Sequence, residues 1–183
     1  MRRHHLKRFL NAAACVVSLA ASHAFGADAN ELSVHQSIHI SAPAAAVWAV
    51  AGDFNGLPRW LSGIVESRIV LGKNNQIGAI RELTRRNGTK VTERLIDYDP
   101  VQMRAGYTYV DGMVMASDYF PVLQVKDAGD GTSIVDWSAR FKRVAYAQDP
   151  PPPGQDDQTL TELYNKIYKG GLESLKRYVE GSQ

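Results

Sequence analysis

The chain has 183 residues, with 21 Lys and Arg against 19 Asp and Glu, a formal net charge of +2 and a sequence pI of about 8.7. That basicity belongs to the start: residues 1–24 hold Arg2, Arg3, Lys7 and Arg8 and no acid, so the remaining 159 residues set 17 basic side chains against 19 acidic ones. A slightly acidic body lacks the basic surface of a nucleic-acid binder, and nucleic acid is excluded as an expected partner.

In chain order, the basic residues are followed by an apolar run from Phe9 to Ala21 and by Ser22-His23-Ala24, with small residues at both recognition positions of a cleavage site. This pattern predicts a secretory signal peptide over residues 1–24, cleaved near Ala24, with residues 25–183 forming one domain in the periplasm or outside the cell. The apolar run is shorter than the ~20 residues that span a bilayer, so no transmembrane segment is expected in the mature chain. Cys15 leaves with the leader, and a cysteine-free body excludes disulfides, thiolate nucleophiles and thiolate metal sites. His4, His5 and His23 leave too. His35 and His39 remain on one strand, about 13 Å apart, too far to chelate one metal together. No metal or cofactor is expected.

Ser33 to Ser41 reads as the first strand, with Val34, Gln36, Ile38 and Ile40 on one face. Ser41 is placed to cap a short helix containing Ala44 to Ala51, whose Val47, Trp48 and Ala51 share a side, and Leu57 to Leu61 reads as a second short helix. Strands follow over Ile64 to Leu71, Ile77 to Arg85, Lys90 to Asp97, Arg104 to Val110, Met115 to Val125 and Ser133 to Val144, separated by Gly, Asn and Asp turns. Short regular connections predict an antiparallel meander. At the Asn87-Gly88 hairpin, charge pairing predicts Arg86 opposite Lys90 and Glu82 opposite Arg94, with Arg81 and Glu93 diagonal. In the last strand Val135, Trp137, Ala139 and Phe141 share the face expected to look inward.

Residues 147–157, with Pro150 to Pro153, cannot pair in a sheet and read as a polar loop. The closing helix, Thr159 to Val179, sets Leu160, Tyr164, Ile167, Tyr168, Gly171, Leu175 and Tyr178 on one stripe. Gly171 falls on that buried side although glycine costs about 1 kcal/mol against alanine in a helix. Either the helix touches Trp137 closely there, or a ligand needs the room. The expected fold class is α+β: a curved antiparallel sheet wrapped around a long C-terminal helix, with two short helices after the first strand. Such a sheet encloses a pocket, and concave apolar cavities are where small ligands bind.

Pro43-Ala44-Ala45-Ala46-Val47-Trp48, Asp53-Phe54, Leu57-Pro58-Arg59-Trp60, Gly78-Ala79-Ile80-Arg81, Glu93-Arg94-Leu95, Tyr98-Asp99, Gly131-Thr132 with Trp137, and Gly171-Leu172 with Leu175 follow one another along the body. In their order and spacing, from Ser33 to Arg177, they resemble the polyketide cyclase/dehydrase-like branch of the SRPBCC (START-like) superfamily. The resemblance implies a helix-grip fold with a deep cavity between sheet and terminal helix. The exported members look similar to the periplasmic accessory protein of methanol oxidation, and that likeness implies docking to a redox enzyme such as methanol dehydrogenase.

Three functions fit these residues. The first is binding of a hydrophobic or aromatic small molecule or lipid, with Trp60, Tyr107, Tyr109, Tyr119, Trp137, Phe141, Tyr164 and Tyr168 as wall. The second is cyclase or dehydratase chemistry, in which Glu93 takes a proton beside a carbonyl while Arg81 and a tyrosine steady the oxyanion. The alternative role for those two residues is a buried ion pair. The third is surface docking of a periplasmic protein partner, with Asp127, Asp130, Asp149, Asp156 and Asp157 steering a basic partner. The sequence points to binding more than to turnover.

Overall fold

Alternation of buried and exposed side chains along seven strands produces one antiparallel sheet whose inner face carries the core. The computed structural model describes residues 30–112, 114–144 and 147–181; the leader expected over residues 1–24 lies outside them. Strand β1 (Leu32–Ile40) leads into helix α1 (Ala44–Ala51) and a 3-10 helix (Leu57–Arg59). Strands β2 (Ile64–Leu71), β3 (Ile80–Arg85), β4 (Lys90–Asp99), β5 (Arg104–Gly112), β6 (Ala116–Asp127) and β7 (Ser133–Arg143) follow, and helix α2 (Asp157–Glu180) closes the chain. The sheet order is β1-β7-β6-β5-β4-β3-β2. Register shifts interrupt β2, β4 and β6, and such bulges bend strands and raise their twist. The curved sheet receives α2 chiefly along β1 and β7.

The helix-grip α+β expectation is met, and the differences are local. The hairpin takes neither register weighed from charge: Arg81 lies directly opposite Glu93, and Thr84 opposite Lys90. Turn geometry decides this. Arg85 N–H donates to Thr89 O at 2.8 Å, so the loop has three residues with Gly88 at φ +81, the left-handed position such loops reserve for glycine. Glu82 finds its cations elsewhere, in Lys90 at 2.9 Å and Arg68 at 3.1 Å. Strand β3 begins at Ile80 rather than Ile77, because hydrogen bonds from Gln76 to Lys73 and from Ala79 to Gln76 turn the chain there. Ser41 does not cap α1, whose N-cap is Pro43; its backbone N–H instead donates to Glu180 Oε1 at 2.8 Å, fastening the end of β1 to the end of α2.

Helix α2 starts on a true cap, with Asp156 accepting from Thr159 N at 2.8 Å and from its hydroxyl at 2.7 Å. Its buried row is Leu160, Tyr164, Tyr168, Gly171, Leu172, Leu175 and Val179. Ile167 and Tyr178, expected on that row, are 42% and 36% exposed, because a straight helix drifts off a strict stripe and the row follows Leu172 and Val179 instead. Gly171 is explained by packing. A Cβ there would stand 2.7 Å from Trp137 Cζ3 and 3.0 Å from Leu61 Cδ1. Gly171→Ala should therefore lower stability by about 1–3 kcal/mol in urea unfolding, despite the better helix propensity of alanine. Gly170→Ala, with nothing near its Cβ, should raise it by about 0.5–1 kcal/mol.

Candidate functional site

On β3 the inward row is Arg81, Leu83 and Arg85; on β4 it is Val91, Glu93 and Leu95. Period-two alternation thus buries two opposite charges on adjacent strands, Arg81 at 2% exposure and Glu93 at 5%. Arg81 Nε and Nη2 donate to Glu93 Oε2 at 2.9 and 2.6 Å, and Nη1 donates to the Phe54 carbonyl. Both ion-pair bonds converge on one carboxylate oxygen. The guanidinium also sits between two rings, 4.1 Å from the Phe54 centroid and 5.1 Å from that of Tyr107, a cation–π arrangement.

Beside this pair, under α2, lies a cavity of about 100 Å³. Glu93, Tyr107, Tyr109, Tyr119, Trp137, Tyr164 and Tyr168 all line it, alongside Leu61, Leu83, Arg85 and Ile167. The rings order one another: Trp137 stacks on Tyr168 at 4.3 Å, and Tyr109 on Tyr119 at 4.3 Å. The Tyr119 and Tyr168 hydroxyls are 2.6 Å apart. Burial pushes the Tyr107, Tyr109, Tyr119, Tyr164 and Tyr168 hydroxyls above the usual phenol value, with the charge of Glu93 adding to the rise at Tyr107. They are neutral donors and acceptors at ordinary pH, not phenolate bases.

The indole Nε1 atoms of Trp60 and Trp137 are buried without a hydrogen-bond partner in the described residues. Trp137 does lie near enough to the Tyr107 hydroxyl to favour its ionised form, a smaller effect than burial, but outside hydrogen-bond geometry. Three of the expected site residues sit elsewhere. Trp60 and Arg81 border a separate hollow of about 20 Å³, shared with Phe54, Tyr107 and Trp137. Phe141 lines neither; it packs behind the wall, 4.7 Å from Tyr164 and 6.4 Å from Tyr119. The cavity is also smaller than the deep one implied by resemblance, since pockets for drug-sized ligands run to roughly 300–1,000 Å³. A larger hollow of about 450 Å³ around Ser33, His35, Phe120 and Arg140 lies on the outer face, away from these groups. Sequence reasoning missed Arg85, which the alternation from Arg81 and Leu83 could have found, and Phe54, whose carbonyl role leaves no signal.

No group of three or more metal-ligating side chains occurs among the described residues. No helix among them is long and apolar enough to cross a membrane. The acidic positions expected to steer a partner are used locally in four cases. Asp127 accepts from Gly129 N, Asp130 from Thr132, Asp156 caps α2, and Asp157 pairs with Arg143 at 2.7 Å.

The family model for polyketide cyclase/dehydrase and lipid transport matches residues 31–180. The chain belongs to that family. This SRPBCC protein is similar to the protein XoxI from Bacillus cereus, with 27% identity and TM-score 0.69 over 79% of this chain and 93% of that one. It is also similar to a protein from Thermobifida fusca, at 29% identity and TM-score 0.64, covering 80% and 92% of the two chains. The Zhui aromatase/cyclase from a Streptomyces species shares the fold at 16% identity and TM-score 0.69, over 82% of this chain and 94% of that chain.

Two expectations follow from the buried groups. Glu93→Leu should cost about 3–5 kcal/mol in urea unfolding by leaving Arg81 buried and uncompensated, whereas the double variant Arg81→Met/Glu93→Leu should recover most of that loss. A double variant as unstable as the single one would mean the pair itself contributes net stability. The tyrosines, raised in the fold, give stability that is full below the unfolded phenol value of about 10 and is lost as pH rises through the folded values. Unfolding free energy should fall between about pH 10 and 12, followed by the phenolate absorbance.

Proposed function

We propose that this SRPBCC protein is exported and binds a small apolar or aromatic molecule in the cavity between the sheet and α2, without transforming it. The observation that carries this reading is Trp137 Nε1: a donor on a residue 3% exposed, on the wall of a cavity, with no partner in hydrogen-bond geometry among the described residues. An unsatisfied buried donor costs about 1–3 kcal/mol, and a ligand acceptor would recover it. The aromatic wall supplies contact area with few rotatable bonds. About 100 Å³ suits a small molecule better than a whole lipid chain.

Turnover draws less support. Glu93 is held by Arg81, which is itself fixed to Phe54, so the pair is built as part of the scaffold. The phenols beside it are neutral. The docking reading, including a redox enzyme such as methanol dehydrogenase, draws no support from acidic residues already engaged in turns, a cap and an ion pair.

Native mass spectrometry on protein recovered from the periplasm tests both halves of the proposal. The expected result is a mass lacking residues 1–24 and a reproducible small-molecule adduct. Trp137→Phe, which keeps a ring and removes the N–H, should lower adduct occupancy about tenfold, the worth of one hydrogen bond at roughly 1.4 kcal/mol. An apo mass, together with no response to added benzyl alcohol, would overturn the binding reading. An uncleaved chain would overturn export.

A further inference from the structure

The polar atoms of the cavity wall divide into those that satisfy one another and those left over. The Tyr119 and Tyr168 hydroxyls pair at 2.6 Å, and those of Tyr109 and Tyr164 lie 3.5 Å apart. Arg85 donates to Thr89 Oγ1 at 3.4 Å. Glu93 is matched in charge by Arg81, yet both of its ion-pair bonds end on Oε2. Its other oxygen, Oε1, accepts from none of the described residues and, unlike the indole nitrogens of Trp60 and Trp137, is not sealed in the packing. Glu93 borders this cavity and not the smaller hollow beside it, so the unused oxygen belongs to the cavity. The wall therefore offers one unused acceptor, Glu93 Oε1, and one unused donor, Trp137 Nε1. Both act on the Tyr107 hydroxyl, the carboxylate disfavouring its ionised form and the indole favouring it, which gathers acceptor and donor around one phenol.

An ionised carboxylate only accepts and an indole N–H only donates. A ligand carboxylate would meet Glu93 as a like charge, and a ligand ammonium would face two guanidiniums, Arg81 beside Glu93 and Arg85 on the same wall. A carbonyl or nitrile would satisfy Trp137 and leave Glu93 Oε1 unused. A hydroxyl serves both with one atom: its O–H donates to Oε1 and a lone pair accepts from Nε1–H. The bond to the carboxylate is the stronger of the two, because its acceptor is ionised.

Building on the binding role proposed above, we infer that the ligand is a small neutral hydroxyl compound, an alcohol or a phenol, held between Glu93 Oε1 and Trp137 Nε1. Its apolar body lies against the tyrosine rings under α2. Glu93 is then a specificity residue, and Arg81 positions it by occupying the other oxygen.

The test titrates the purified chain with benzyl alcohol and phenol, with benzonitrile as a ring that only accepts, and with toluene as a ring that does neither, followed by calorimetry and by the fluorescence of Trp60 and Trp137. A hydroxyl compound should bind about tenfold more tightly than benzonitrile, and benzonitrile more tightly than toluene, one hydrogen bond separating each step. Trp137→Phe should remove the advantage of benzonitrile over toluene. The double variant Arg81→Met/Glu93→Leu, which removes the acceptor without stranding its partner, should remove the advantage of the hydroxyl over the nitrile; should it not fold, the series on the unaltered chain decides alone. Preference for benzyl alcohol only, or for phenol only, supports the inference and names the alcoholic or phenolic source. Hydroxyl compounds that bind no better than benzonitrile, or a preference that survives the double variant, overturn it; the binding reading then stands on benzonitrile and its dependence on Trp137. If none of the four compounds binds, both fall.

Discussion

The ion pair between Arg81 and Glu93 sets the geometry on which the inner face depends. Two charges within a sheet are expensive to bury, and the cost is met by convergence: one carboxylate, one backbone carbonyl and two ring faces around a single guanidinium. Because the carbonyl belongs to Phe54, the pair fixes the segment between α1 and the 3-10 helix against the sheet. Because Glu93 faces the cavity, the same contact sets the polarity of its floor. Such a pair is weak as a source of stability and strong as a constraint on register, and the observed pairing of β3 with β4 is the one that brings the two side chains face to face.

The aromatic cluster is organised from the other side by α2. Tyr164 and Tyr168 descend from the helix into rings contributed by β5, β6 and β7, and Gly171 lets the helix come close enough for Trp137 and Tyr168 to stack. Space has been taken from the cavity by these tyrosines. What is left is a small, hydroxyl-lined cavity with the matched Arg81–Glu93 pair beside it.

Most of the architecture was legible in the sequence because alternation and helical spacing report burial directly: the inward faces of β1 and β7, the order of the elements and the buried row of α2 through Leu160, Tyr164 and Tyr168 follow from them. What escaped was set by finer physics. The hairpin register came from a three-residue loop closing on Gly88, which charge matching could not anticipate, and Glu82 turned to Arg68 and Lys90 rather than Arg94. In the site, Arg81 and Glu93 were recognisable as a couple, whereas Phe141 looked like wall and proved to be backing, since periodicity gives the face of a strand but not its depth. The carbonyl of Phe54 has no side-chain signature at all.

Strand β2 closes one side of the sheet, and it does so with Val65, Val70 and Leu71 exposed. A free edge of that composition invites another chain to add a strand and extend the sheet into an aggregate. The two register shifts along β2, together with Glu66 and Arg68 set between its apolar residues, break the even spacing that such templating needs. The irregularities that help curve the sheet around its cavity therefore also keep one molecule from being sewn to the next.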